Sequence, residues 1–256
     1  MSQAKDDDFF IGWARPAPGL ARFLILVTLA SLLAFAGAAY LTAATQSDPG
    51  DGTFRWGWGE LTLTGTVSDG PYPILHVAEG PHGLAGRSLL MSRPGKNGVR
   101  EGWRALIGQR VIARGIALTR GDIVMLQIRG DENGLRAADD QEPPPSLPAV
   151  EDLGTWRLTG EICDGKCYNG AMRPGTGLAH KACANLCIAG GVPAVFVATG
   201  EVEGAQYFVL GDADGNPVTE TVKDWTAVLV NVTGRIEKIG PMPVIYADLA
   251  SLEVAR

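Results

Sequence analysis

Histidine and cysteine are scarce in this chain of 256 residues, which holds three histidines, four cysteines and only 7% aromatic residues. The scarcity excludes much chemistry. Neither Gly-x-x-x-x-Gly-Lys-Ser/Thr nor Gly-x-Gly-x-x-Gly occurs, so the two common phosphate-cradling loops are absent. Arg93-Pro94-Gly95-Lys96-Asn97-Gly98 and Arg173-Pro174-Gly175-Thr176-Gly177 are glycine-rich but read as β-turns. Basic residues number 22 against 28 acidic ones, a net charge of −6, with no basic cluster. A nucleic-acid partner is therefore not expected, since phosphate binding calls for grouped cations. His76 and His82 stand on a strand pattern and a Gly-Pro turn and read as solvated, so no Ser/His/Asp triad is expected. The C-x-x-C of a thioredoxin-type pair and the C-x-x-C-H of haem attachment are missing too. The sequence reads as a protein that is not an enzyme.

What is present begins with Phe23 to Gln46, an uncharged apolar run long enough to cross a bilayer as one helix. Lys5, Arg15 and Arg22 precede it, and Asp48 and Asp51 follow. The positive-inside rule then places the N-terminus in the cytoplasm and the rest of the chain outside, as in a bacterial inner-membrane protein with periplasmic domains. A cleaved signal peptide, with Thr42-Ala43-Ala44 at the cut, is the alternative; the length of the apolar run and Asp6-Asp7-Asp8 in the leader weigh against it.

Beyond the helix, 34 glycines and 16 prolines suit short strands and turns. Leu63-Thr64-Gly65-Thr66-Val67-Ser68-Asp69-Gly70 matches Leu158-Thr159-Gly160-Glu161-Ile162-Cys163-Asp164-Gly165 at five of eight positions. Val111-Ile112-Ala113-Arg114-Gly115 answers Val230-Asn231-Val232-Thr233-Gly234 further on. A tandem duplication is the simplest account. The offset between the copies grows along the chain, so the second has gained roughly two dozen residues, longer than most connections. Each copy shows about five short alternating strands. The expected fold is mainly β: one transmembrane helix, then two tandem OB-like β-barrels, the second with a short cysteine-bearing helical insertion. The expected divisions are a cytoplasmic leader at 1–22, the transmembrane helix at 23–46, a first β domain at 47–129, an acidic proline-rich linker at 130–154 and a second β domain at 155–256.

All four cysteines fall in the extra residues of the second copy or at their edge. His180 to Cys187 reads as two turns of helix closed by Gly190-Gly191 and Pro193, which puts His180, Cys183 and Cys187 on one face. Cys163 and Cys167 stand at a strand end and in the turn after it. Three chemistries are open. An oxidising compartment and an even number of cysteines suit disulfides among Cys163, Cys167, Cys183 and Cys187. Alternatively, Cys167, His180, Cys183 and Cys187 form a Cys3His set suited to zinc or to cuprous copper. Thiol–disulfide redox work is the third.

The pattern Gly160-x-Ile162-x-Asp164-x-x-Cys167, His180-x-x-Cys183-Ala184-x-x-Cys187, Gly190-Gly191-x-Pro193 resembles that of small exported bacterial domains of largely uncharacterised function. The resemblance covers roughly Trp156 to Leu252, the second copy only. It implies a shared Cys/Cys/Cys/His constellation on Cys167, Cys183, Cys187 and His180, from which this chain departs by adding Cys163.

An anchor, two recognition-sized barrels and no catalytic constellation point to an accessory subunit of a membrane or periplasmic complex, one with redox work among its options, held to the membrane by Phe23 to Gln46 and bound to protein partners. That role requires no cofactor. The alternative is a periplasm-facing carrier or metallochaperone for zinc or copper that uses the Cys3His set.

Overall fold

The computed structural model describes residues 18–45, 50–139 and 142–255. The chain divides into two units, Met1–Asp48 and Pro49–Arg256. In the first, helix α1 runs over Pro18–Thr45. Proline suits a first helical position, where its missing N–H would have had no partner. Past Arg22 the side chains carry no charge and are mostly apolar on every face, so the helix has no stripe to set against a core and a water face. Gly19–Ala44, with a mean hydropathy of 2.2, has no buried residue in its apolar window. At 1.5 Å per residue these 26 residues reach about 39 Å, enough to cross a membrane. The expected span lies within α1 except for Gln46, and α1 begins earlier than expected, taking in residues 18–22 of the leader; Gln46 and residues 1–17 lie outside the described residues.

The second unit is mainly β. Its first lobe is a seven-stranded sheet of β1 (Thr53–Phe54), β2 (Leu61–Ser68), β3 (Ile74–Glu79), β4 (Ser88–Ser92), β5 (Arg110–Arg120), β6 (Ile123–Ile128) and β7 (Leu135–Ala137). β2 pairs antiparallel with β3 and β5, β3 with β4, and β5 with β6, while β4 lies parallel to β6. β1 and β7 add to β5. The alternation seen in the sequence is realised: Leu61, Leu63, Val111, Ala113 and Ala117 all face a buried core.

The second lobe comprises β8 (Val150–Asp164), β9 (Ala194–Val202), β10 (Ala205–Asp212), β11 (Leu229–Ile239) and β12 (Met242–Val254), closed into a barrel in the order β10-β12-β11-β8-β9. Its neighbours are antiparallel apart from β10 and β12, which are parallel. Phe196 and Phe208 fill its interior completely shielded from solvent. Each contributes about 2–3 kcal/mol by leaving water.

The lobes share a core, because Tyr72 of the β2–β3 connection and Ile74, Leu90 and Met125 of the first sheet pack with the barrel's own residues. Tyr72 also donates its hydroxyl to the Val218 carbonyl at 3.0 Å. Within 130–154, the segment expected to be a linker, Glu132–Gly134 forms a 3-10 turn, Leu135–Ala137 is β7, and Val150 already pairs with Ile239 at the start of β8.

Candidate metal centre

β2 and β3 are joined by five residues, 69–73, whereas the corresponding strands β8 and β9 are joined by twenty-nine, 165–193. The long connection carries a π-helical turn, Cys167–Ala171, a 3-10 turn, Leu178–His180, and helix α2, Lys181–Ala189. Alanine and leucine favour the helix, and the chain leaves it when Gly190 and Gly191 donate their N–H groups to Leu186 and Ile188 at 3.1 and 2.9 Å. Ala184, Cys187 and Ile188 form its buried face.

This architecture brings Cys167, Cys183 and Cys187 together. The Cys167 and Cys183 sulfurs are 3.8 Å apart. One ring nitrogen of His180 joins these two sulfurs in a triad within 4.8 Å, and an Asp164 oxygen joins Cys167 and Cys187 in a second. The four expected ligands thus fall into two overlapping triads that share Cys167. Interaction with Cys187, then burial, pushes the Cys167 thiol up, while the same interaction draws Cys187 down.

His180 and Asp164 are both fully shielded, with Nε2 and Oδ2 2.7 Å apart. The other carboxylate oxygen accepts the Cys167 N–H at 2.8 Å. Asp164 therefore orients the imidazole and the turn that presents Cys167. The His180 Nδ1 faces the Met172 thioether at 3.2 Å. An imidazole held through its other nitrogen by a carboxylate is the usual support of a metal-ligating histidine.

Two lysines border the sulfurs. Lys96, in the turn after β4, donates to the Cys183 sulfur at 2.7 Å and to Cys187 at 3.6 Å. The bond to Cys183 raises its pKa above the usual lysine value. Lys166 is only 5% exposed, and burial lowers its pKa. Its ammonium donates to the Arg93 and Gly95 carbonyls, each at 2.8 Å, and so fastens the first lobe's turn to the insertion. The turn expected over Arg93 to Gly98 is present, bridged between Arg93 and Asn97, and it lends a cation to the other lobe.

Cys163 stands apart from the sulfur group. Successive strand residues face opposite ways, so with Asp164 turned toward the cluster the Cys163 thiol points elsewhere and donates to Glu161 at 3.1 Å. Burial pushes its pKa well above the usual value. All four cysteines are free, and the disulfide alternative among them becomes the rival outcome of the experiments below.

One expectation is corrected. His76 is not solvated: it is 9% exposed, with Ser88 and Ser68 hydroxyls at 2.6 and 2.8 Å from its two ring nitrogens. Burial lowers its pKa to about 4. The reason is register, since His76 sits opposite Thr66 on the covered side of the sheet. His82 is exposed and stacks on Trp58 with ring centres 4.4 Å apart.

Sequence reasoning gave Asp164 only a turn role, and it missed Lys96, Lys166 and Met172. Asp164 was within reach, because it lies in the same motif as Cys167. Lys96 carries no local signal, being 87 residues from Cys183. Comparison with protein-family models, with curated proteins and with solved structures found no match.

Proposed function

We propose that the chain is a membrane-anchored, exported module that holds one transition-metal ion, zinc or cuprous copper, through Cys167, Cys183 and His180 with Cys187 at hand. The observation that carries this reading is the convergence of two sulfurs and an imidazole nitrogen within 4.8 Å. Two sulfurs bound at about 2.3 Å in a tetrahedral site lie about 3.8 Å apart, which is the Cys167–Cys183 separation of 3.8 Å. Asp164 supplies the outer support, and the buried Lys166 beside the sulfurs offsets the negative charge of thiolate ligands. Thiolate and imidazole donors select these metals over magnesium or calcium.

In this reading α1 is the anchor, the N-terminus is cytoplasmic, and both lobes are periplasmic copies of one OB-like module. The matching order of strand pairings, each with one parallel pair, supports common descent of the lobes. Metal and free-thiol content, measured on the full chain extracted from its membrane without reductant, tests the proposal. About one equivalent of zinc or copper with masked thiols is expected. No metal and no free thiol would replace it with a disulfide-stapled insertion.

An accessory-subunit role is the second reading, and exposed Leu178 and Leu186 beside the sulfur cluster favour it. Co-purification from solubilised membranes is its test, with a chain that always runs alone counting against it.

A further inference from the structure

The two triads are bridged from outside. Cys183 belongs to one and Cys187 to the other, and the ammonium of Lys96 reaches both sulfurs, at 2.7 and 3.6 Å. A cation is thus already seated at the thiols, delivered by a lobe that contributes no ligand of its own. Its backbone is fixed. Gly98 donates to the Gly190 carbonyl at 2.8 Å, and Lys166 grips Arg93 and Gly95. A Cβ on Gly190 would come within 1.8 Å of the Lys96 carbonyl oxygen, so the two chains meet as closely as backbones can. The Lys96 side chain itself is exposed on the outer side. Its head can therefore leave for solvent while the turn stays in place.

We propose that Lys96 is the resident cation of the metal-free site: its ammonium holds the Cys183 and Cys187 sulfurs until a metal ion binds at the sulfur cluster, and metal entry displaces it. This rests on the metal reading above and adds how the site is loaded and emptied. Two cations about 4 Å apart repel, so ammonium and metal do not share these sulfurs cheaply. Loading becomes an exchange of one cation for another, and unloading never leaves the sulfurs without one. That property suits a protein that passes its metal on. Lys96 is a positioning residue in this account and ligates nothing in the loaded state.

Zinc and cuprous-ion affinities of the full detergent-solubilised chain, measured by chelator competition without oxygen at about pH 9, where free thiols are largely ionised, test the exchange. Lys96→Met is expected to bind about tenfold tighter than the unmodified protein, the worth of one charge-assisted hydrogen bond. Lys96→Arg, which keeps a cation there, should bind no tighter than the unmodified protein. An unchanged or weaker Lys96→Met overturns the proposal and leaves the metal reading standing. Failure of every chain to bind metal removes both. A second readout needs no variant: acylation of Lys96 by an amine-reactive ester, followed by peptide mass spectrometry, should rise when metal is added. A fall on metal addition would mean that the lysine clamps the loaded site, which overturns the exchange.

Discussion

The two lobes of the β unit are joined in the same order of strand pairings, yet they treat one shared residue in opposite ways. Asp69 and Asp164 occupy equivalent places in the matched segments. Asp69 keeps 64% of its side chain in solvent and meets the exposed Arg104 at 3.6 Å. Asp164 is wholly buried and holds both His180 and the Cys167 amide. The strand end is common to both; what differs is the cover. Five residues after β2 leave the carboxylate in water, and twenty-nine after β8 fold back over it with sulfur and imidazole. The candidate chemistry thus sits in a connection of one lobe, where the barrel's own pairings are untouched. The other lobe has the plain connection and donates Lys96 instead.

The largest expected effect that sharpens this contrast is loss of the shared sulfur. Cys167→Ser removes the one donor common to both triads, and metal affinity should fall by about a hundredfold or more, read by chelator competition. Replacing Asp164 and Asp69 in parallel comes next. Asp164→Asn should weaken metal binding by about ten- to a hundredfold, as losing the outer support of a ligand does, while Asp69→Asn should leave it unaltered. Equal effects would break the comparison. Smaller again is the interlobe contact: Gly190→Ala forces a side chain against the Lys96 carbonyl and should cost about 2–3 kcal/mol in denaturant unfolding of the full chain.

The smallest effect is a pH dependence confined to the first lobe. His76 has its pKa lowered to about 4 by burial, against an ordinary value of 6.5. Between those values the unfolded chain binds a proton that the folded chain refuses, so stability present above pH about 6.5 is lost as pH falls toward about 4. The loss, discounted for partial exposure, is on the order of 2 kcal/mol. Val197, opposite Glu161, stands at the corresponding place in the second lobe and titrates nothing. Unfolding curves of the full chain and of His76→Gln at pH about 7 and about 5 check this, with the variant expected to lose less on acidification.

Much of this arrangement was legible in the sequence because it is local. The apolar run became α1, the alternating segments became strands, and the insertion carried its own helix signals in Lys181 to Gly191. The cysteines and His180 advertised themselves by type and spacing. What stayed hidden depends on contacts between distant segments. Lys96 reaches Cys183 only because the turn after β4 meets the end of α2, and nothing near either residue encodes that meeting. The burial of His76 follows from register across β2 and β3, which a single strand's pattern leaves open. Acidic and proline-rich composition in 130–154 pointed to a linker, but β7 and the start of β8 find partners there. Pairing with a neighbouring strand outweighed local composition.

The most direct test of the central claim is X-ray absorption at the metal edge, on the full chain purified without reductant. A zinc or copper edge with sulfur neighbours at about 2.3 Å and a nitrogen at about 2.0 Å is the predicted result. An ion surrounded by oxygen and nitrogen alone, or no metal in a chain whose cysteines are paired, would contradict it.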